Sequence, residues 1–99
     1  MFGRNNLKKE GNKMKKANIV IENETGLHAR PATELAKLAM KYKCSINLIV
    51  NGKLIDAKSP LMIMSAGIKY KTELEIICDG ENEDKALEEV KSFLENNIG

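Results

Sequence analysis

A chain of 99 residues with 42% hydrophobic content has material for one modest core and not for two. The formal net charge is +2, but it is unevenly spread: residues 1–16 hold six Lys or Arg against one Glu, and the remainder carries ten basic against thirteen acidic side chains. The densest apolar run, Leu61 to Met64, falls far short of the roughly 20 residues that span a bilayer, and Met1 to Lys16 lacks the apolar stretch of a secretory signal, so the expectation is a cytoplasmic protein with no membrane insertion.

Residues 1–16 combine Gly3, Gly11, Asn5, Asn6 and Asn12 with one aromatic residue and no apolar period, a composition that cannot bury enough surface to order itself. The arm is therefore expected to be a disordered extension, with one domain over 17–99 and with Met14 as readable a start as Met1. No nucleic-acid partner is expected; an arm that did bind nucleic acid would show a salt-sensitive affinity lost on its deletion.

Ala17, Ile19 and Ile21 alternate with Asn18, Val20 and Glu22, which predicts a half-buried strand ended by Asn23-Glu24-Thr25-Gly26. Ala32, Leu35, Ala36, Ala39 and Met40 then recur at helical spacing and predict a helix over about 29–41. Ile46, Leu48 and Val50 alternate again, Asn51-Gly52 suits the positive backbone angles of a type I′ turn, and Lys53 to Ala57 returns as a strand. Ser59 is a good N-cap and Pro60 is tolerated at a first helical position, so a short helix runs over 60–65 and stops near Gly67.

Leu74, Ile76 and Cys78 mark a last strand closed by Asp79-Gly80. Ala86, Leu87, Val90, Phe93 and Leu94 form the stripe of a final helix, with Asn82 as its N-cap and Glu83 and Asp84 opposing its dipole. Cys44 and Cys78 lie far apart in apolar segments, so two reduced thiols are expected rather than a disulfide or a metal site. Strands that are apolar on one face ask for an α+β two-layer sandwich, a sheet with helices on one side, with the strand order left open.

His28 is the sole histidine, placed where a glycine-bearing turn enters a helix. The first turn of a helix presents N–H groups without intrahelical acceptors and so favours anions. Pro31 gives up its N–H where the loss costs least, leaving those of Ala29, Arg30 and Ala32 available, and the Arg30 guanidinium can clamp phosphate or carboxylate oxygens. By spacing alone this is not settled, since a lone histidine at a helix start is more often a plain cap or surface residue.

Gly26-Leu27-His28-Ala29-Arg30-Pro31-Ala32 resembles the active-site signature of the HPr family, the histidine-containing phosphocarriers of the bacterial phosphoenolpyruvate-dependent sugar phosphotransferase system. Asn51-Gly52-Lys53, Lys58-Ser59 and Met64-Ser65-Ala66-Gly67 resemble that family's hairpin and regulatory-serine segment, so the likeness covers residues 17–99. It implies a four-stranded antiparallel sheet covered on one face by three helices, and a phosphoryl carrier rather than an enzyme. His28 would be phosphorylated at Nδ1, Arg30 would support the phosphoryl group, and no cofactor or metal is implied. Enzyme I would be the donor, sugar-specific Enzyme IIA proteins the acceptors, and the carrier a monomer.

The resemblance also makes Ser59 the candidate target of an ATP-dependent HPr serine kinase, although Pro60 and Met62 depart from the Gram-positive pattern there and leave a purely capping Ser59 open. A four-residue apolar run on one helical turn cannot point wholly inward, so Leu61 is expected to face out as a docking anchor beside Thr33, Pro60 and Met64. Lys37, Lys41 and Lys58 would form a basic rim for acidic partners. A carrier of the nitrogen-related phosphotransferase branch is the rival reading, separated by which Enzyme I and Enzyme IIA serve it.

Overall fold

Alternating apolar residues on each strand decide which way the sheet faces. The computed structural model describes residues 14–96. Its elements are strand β1 (Lys15–Val20), helix α1 (Ala29–Met40), strands β2 (Ser45–Val50) and β3 (Lys53–Asp56), helix α2 (Pro60–Ser65), strand β4 (Glu73–Asp79) and helix α3 (Glu83–Asn96). The sheet is antiparallel in the order β1-β4-β2-β3.

The last strand is thus inserted between the first two. Ile19 lies opposite Leu74 on one side of β4, while Ile46, Leu48 and Val50 lie opposite Cys78, Ile76 and Leu74 on the other. All of these side chains are buried, and they meet Leu35 and Ala36 of α1, Ile63 of α2, and Val90 and Leu94 of α3 in one core. The opposite face carries Asn18, Glu75, Ile49 and Leu54 in a row across the four strands, with Leu54 60% exposed. A two-layer α+β sandwich results, its three helices on one side.

The elements fall where the periodicities put them, with small differences at the ends. β1 begins at Lys15, opposite Cys78, so the domain boundary expected after residue 16 falls inside a strand; the polar side chains of Lys15 and Lys16 hide a pairing that is made by backbone. Residues 1–13, to which the expectation of a disordered arm chiefly applied, lie outside the described residues. Asn51 and Gly52 take φ of 53° and 80°, as a two-residue hairpin turn requires.

At the start of α3, Asn82 adopts a left-handed φ of 60° rather than the extended backbone of an ordinary N-cap. The reach-back contact there is made by Glu83, whose buried carboxylate accepts the Gly80 N–H at 2.8 Å. Cys44 and Cys78 are free and buried. Burial raises the thiol of Cys44, and burial followed by the neighbouring Cys44 and Glu83 raises that of Cys78 from near 9 to about 12.

Candidate functional site

The turn from β1 into α1 is tied down before the helix starts. Ile21 exchanges backbone hydrogen bonds with the far loop, donating to Thr72 O at 2.9 Å and accepting from Lys71 N–H at 2.7 Å. The Asn23 amide donates to Thr25 Oγ1 at 2.7 Å and to Gly26 O at 3.3 Å, and Gly26 N–H returns to Asn23 O at 3.0 Å. Leu27, itself buried, donates its N–H to Ile68 O at 3.0 Å.

Gly26 needs to be glycine on two counts. Its φ is +66°, and a β-carbon there would stand 2.5 Å from Ile68 O and 2.9 Å from Lys69 Cα, both backbone atoms that cannot step aside. The turn can approach the α2–β4 loop this closely because that side chain is missing.

His28 occupies the N-cap position of α1 with extended backbone, φ −89° and ψ −164°, but its side chain makes no cap hydrogen bond. The imidazole is exposed. A plain capping histidine is therefore excluded. His28 does contribute its carbonyl, which accepts the Ala32 N–H at 2.9 Å. The first helical turn consequently offers one donor fewer than expected, because the Ala32 N–H is already engaged. The N–H groups of Ala29 and Arg30 have no acceptor among the described residues.

The Arg30 side chain is exposed, and the first turn of α1 contains no acidic residue. An anion attached to the imidazole would meet two outward N–H groups, a helix N-terminus and a guanidinium, with no carboxylate in that turn to oppose it. Thr33 is also exposed, and its hydroxyl donates to Ala29 O at 2.9 Å.

Beside α1 packs the short helix α2. Ser59 caps it through Oγ, which accepts the Met62 N–H at 3.3 Å, and Pro60 occupies the first turn. Ile63 is the helix's one buried residue, leaving Leu61 71% exposed, with Met62 at 41% and Met64 at 39%. Leu61 therefore faces out as its position in the run suggested.

Of the three rim lysines, Lys37 and Lys41 are exposed along α1, but Lys58 donates through Nζ to Tyr42 O at 2.8 Å and is tied to the chain beyond that helix. No spacing rule could have shown that contact. Sequence spacing also could not show that Lys69, exposed in the α2–β4 loop, has its Cα against the backbone of Gly26, two positions before His28. Among the described residues no group of three or more His, Cys, Asp or Glu side chains is placed to hold a metal ion.

Comparison with known proteins agrees with this fold and turn. The family model described as the PTS HPr component phosphorylation site matches residues 15–96, and the chain belongs to that HPr family. The phosphocarrier protein HPr of Mycoplasma capricolum subsp. capricolum is 41% identical over 81 residues, which cover 82% of this chain and 91% of that one. A crystal structure of HPr from Bacillus anthracis superposes with a TM-score of 0.81 at 28% identity, covering 85% of this chain and all of that one. The HPr dimer crystallised from Thermoanaerobacter tengcongensis gives 0.68 at 33% identity over 86% and 98% of the two chains.

Proposed function

We propose that this chain carries a phosphoryl group on His28 Nδ1, accepted from phosphorylated Enzyme I and passed to Enzyme IIA proteins of the sugar phosphotransferase system. The observation that carries the reading is an exposed imidazole at the N-cap of α1 that caps nothing, beside Arg30, in a chain of the HPr family. In acceptance the lone pair of the His28 ring attacks phosphorus as the P–N bond to the Enzyme I histidine breaks, and that histidine leaves with the electron pair as a neutral imidazole. In delivery the acceptor attacks phosphorus, the His28 Nδ1–P bond breaks and His28 is the leaving group. The chain is a reactant between enzymes rather than an enzyme. Positioning and stabilised phosphoryl oxygens are what such a transfer asks of it.

Arg30 and the Ala29 and Arg30 N–H groups supply that stabilisation. Leu61 anchors the partner, with Thr33, Pro60 and Met64 around it and Lys37 and Lys41 at the rim. Lys58 keeps part of its donor capacity for Tyr42 O and adds charge more than contact. Ser59 serves as cap and as the site at which a serine kinase would act. The carrier works as a cytoplasmic monomer; among the described residues no helix is long and apolar enough to cross a membrane.

The test is incubation with phosphoenolpyruvate and Enzyme I, followed by mass spectrometry. Acid-labile phosphate on His28 is expected, none on His28→Ala with its circular-dichroism spectrum intact, and slower but measurable uptake by Arg30→Ala. Phosphate on His28→Ala would overturn the assignment. Running the assay with the nitrogen-branch Enzyme I in parallel tells which branch is served.

A further inference from the structure

The loop between α2 and β4 meets the His28 turn backbone to backbone. Leu27 N–H donates to Ile68 O at 3.0 Å, and Lys69 Cα lies 2.9 Å from where a β-carbon on Gly26 would stand. His28 lies two positions on from Gly26, a span of at most about 7 Å even when extended. A lysine's four-carbon stem can therefore carry its ammonium to within about 8 Å, one physiological Debye length, of a group on the imidazole.

The backbone of Lys69 is fixed at both ends. Its N–H donates to Thr72 Oγ1 at 2.9 Å, and its carbonyl accepts the Thr72 N–H at 3.0 Å. The side chain is exposed and makes no ion pair among the described residues. Lys71, in the same loop, differs: its amine lies 3.9 Å from Glu22 and 5.3 Å from the centre of the Tyr70 ring. One lysine of the loop is thus engaged, and the other is left beside the site.

We propose that Lys69 is a positioning charge for the phosphoryl group on His28, stabilising the phosphorylated form by attraction to its oxygens. The inference rests on the carrier reading above. A phosphoryl group brings up to about two negative charges, so one ammonium within a Debye length favours the charged carrier over the uncharged one.

Docking to a partner changes rates, whereas the equilibrium distribution of phosphate between two carriers depends only on the free energies of their phosphorylated and free forms. A competition therefore isolates the effect. Full-length wild type and Lys69→Ala are mixed in equal amounts with limiting phosphoenolpyruvate and catalytic Enzyme I, brought to equilibrium, and each phosphorylated fraction is read by mass spectrometry. In the exchange a P–N bond breaks on one carrier and another forms on its competitor, with the Enzyme I histidine as relay.

Wild type is expected to hold about threefold to tenfold more phosphate than Lys69→Ala at low ionic strength, the gap narrowing as salt screens the charge. Lys69→Arg should stay within about twofold of wild type, and so should Lys71→Ala, which removes the same charge from the same loop. An even partition between wild type and Lys69→Ala at low salt, or an equal loss in Lys71→Ala, overturns the role of Lys69 while leaving the carrier reading intact. Failure of wild type itself to take phosphate overturns both.

Discussion

At the scale of single residues, the approach of two backbones decides more than any polar contact. Gly26 lets the turn before His28 settle against Ile68 and Lys69, and both its positive φ and the missing side chain are used. Gly26→Ala should cost about 2 to 4 kcal/mol, adding left-handed strain to a clash with fixed backbone. A urea titration reads the loss, and a midpoint within error of wild type would show that the loop can retreat. Leu27 N–H to Ile68 O is the bond to follow, by amide exchange, because a displaced turn would expose it first.

Among the elements, α2 is the one held by least. Six residues long, it buries only Ile63, and its first turn depends on Ser59 Oγ and Pro60. Ser59→Ala should lose about 1 kcal/mol or less, since the cap bond at 3.3 Å is long, and should accept phosphate at the normal rate. Ser59→Asp should keep the cap and the stability but slow transfer from Enzyme I at low salt, by adding negative charge two residues from exposed Leu61. Initial rates for the three proteins at two salt concentrations decide between cap and switch; a Ser59→Asp protein as fast as wild type at low salt leaves Ser59 as a cap only.

For the whole molecule, buried acids with raised values link stability to alkaline pH. Cys78 is fully buried and pushed up to about 12, so the folded chain keeps a proton that the unfolded chain releases near pH 9. Its contribution is fully present below that point and is lost as pH rises toward 12, with a slope of up to about 1.4 kcal/mol per pH unit. Tyr42, raised to about 12 by partial burial and then by Glu89, acts in the same direction. Urea midpoints should fall between pH 9 and 11, and Cys78→Ala, whatever its cost at neutral pH, should flatten that fall. An unchanged slope in the variant would remove Cys78 as its source.

β1, α1, β2, β4 and α3 were legible as local periods, because a face that must be buried writes itself into residues two, three or four apart, whereas β3 and α2 were legible from the turn and cap residues before them. What escaped depends on separation in the chain. Lys15 and Lys16 pair with Cys78 and Ile77 through backbone, which no side-chain pattern records, and β4 takes its place between β1 and β2 by long-range packing. At the site, His28 and Arg30 stood out because one short motif holds both. The capture of Ala32 N–H by His28 O, the tie from Lys58 to Tyr42 and the approach of Lys69 to Gly26 needed the fold.

The idle imidazole of His28 bears on speed. Because the ring holds no cap bond, placing a group on it would cost the helix no cap and removing that group would restore none. On the carrier reading proposed above, the two chemical states could then share one backbone at the start of α1, with no cap bond to break or remake in a cycle of acceptance and delivery. On that same reading throughput would rest on collision with partners and separation from them, and so on the abundance of the carrier and the strength of the proposed docking contact.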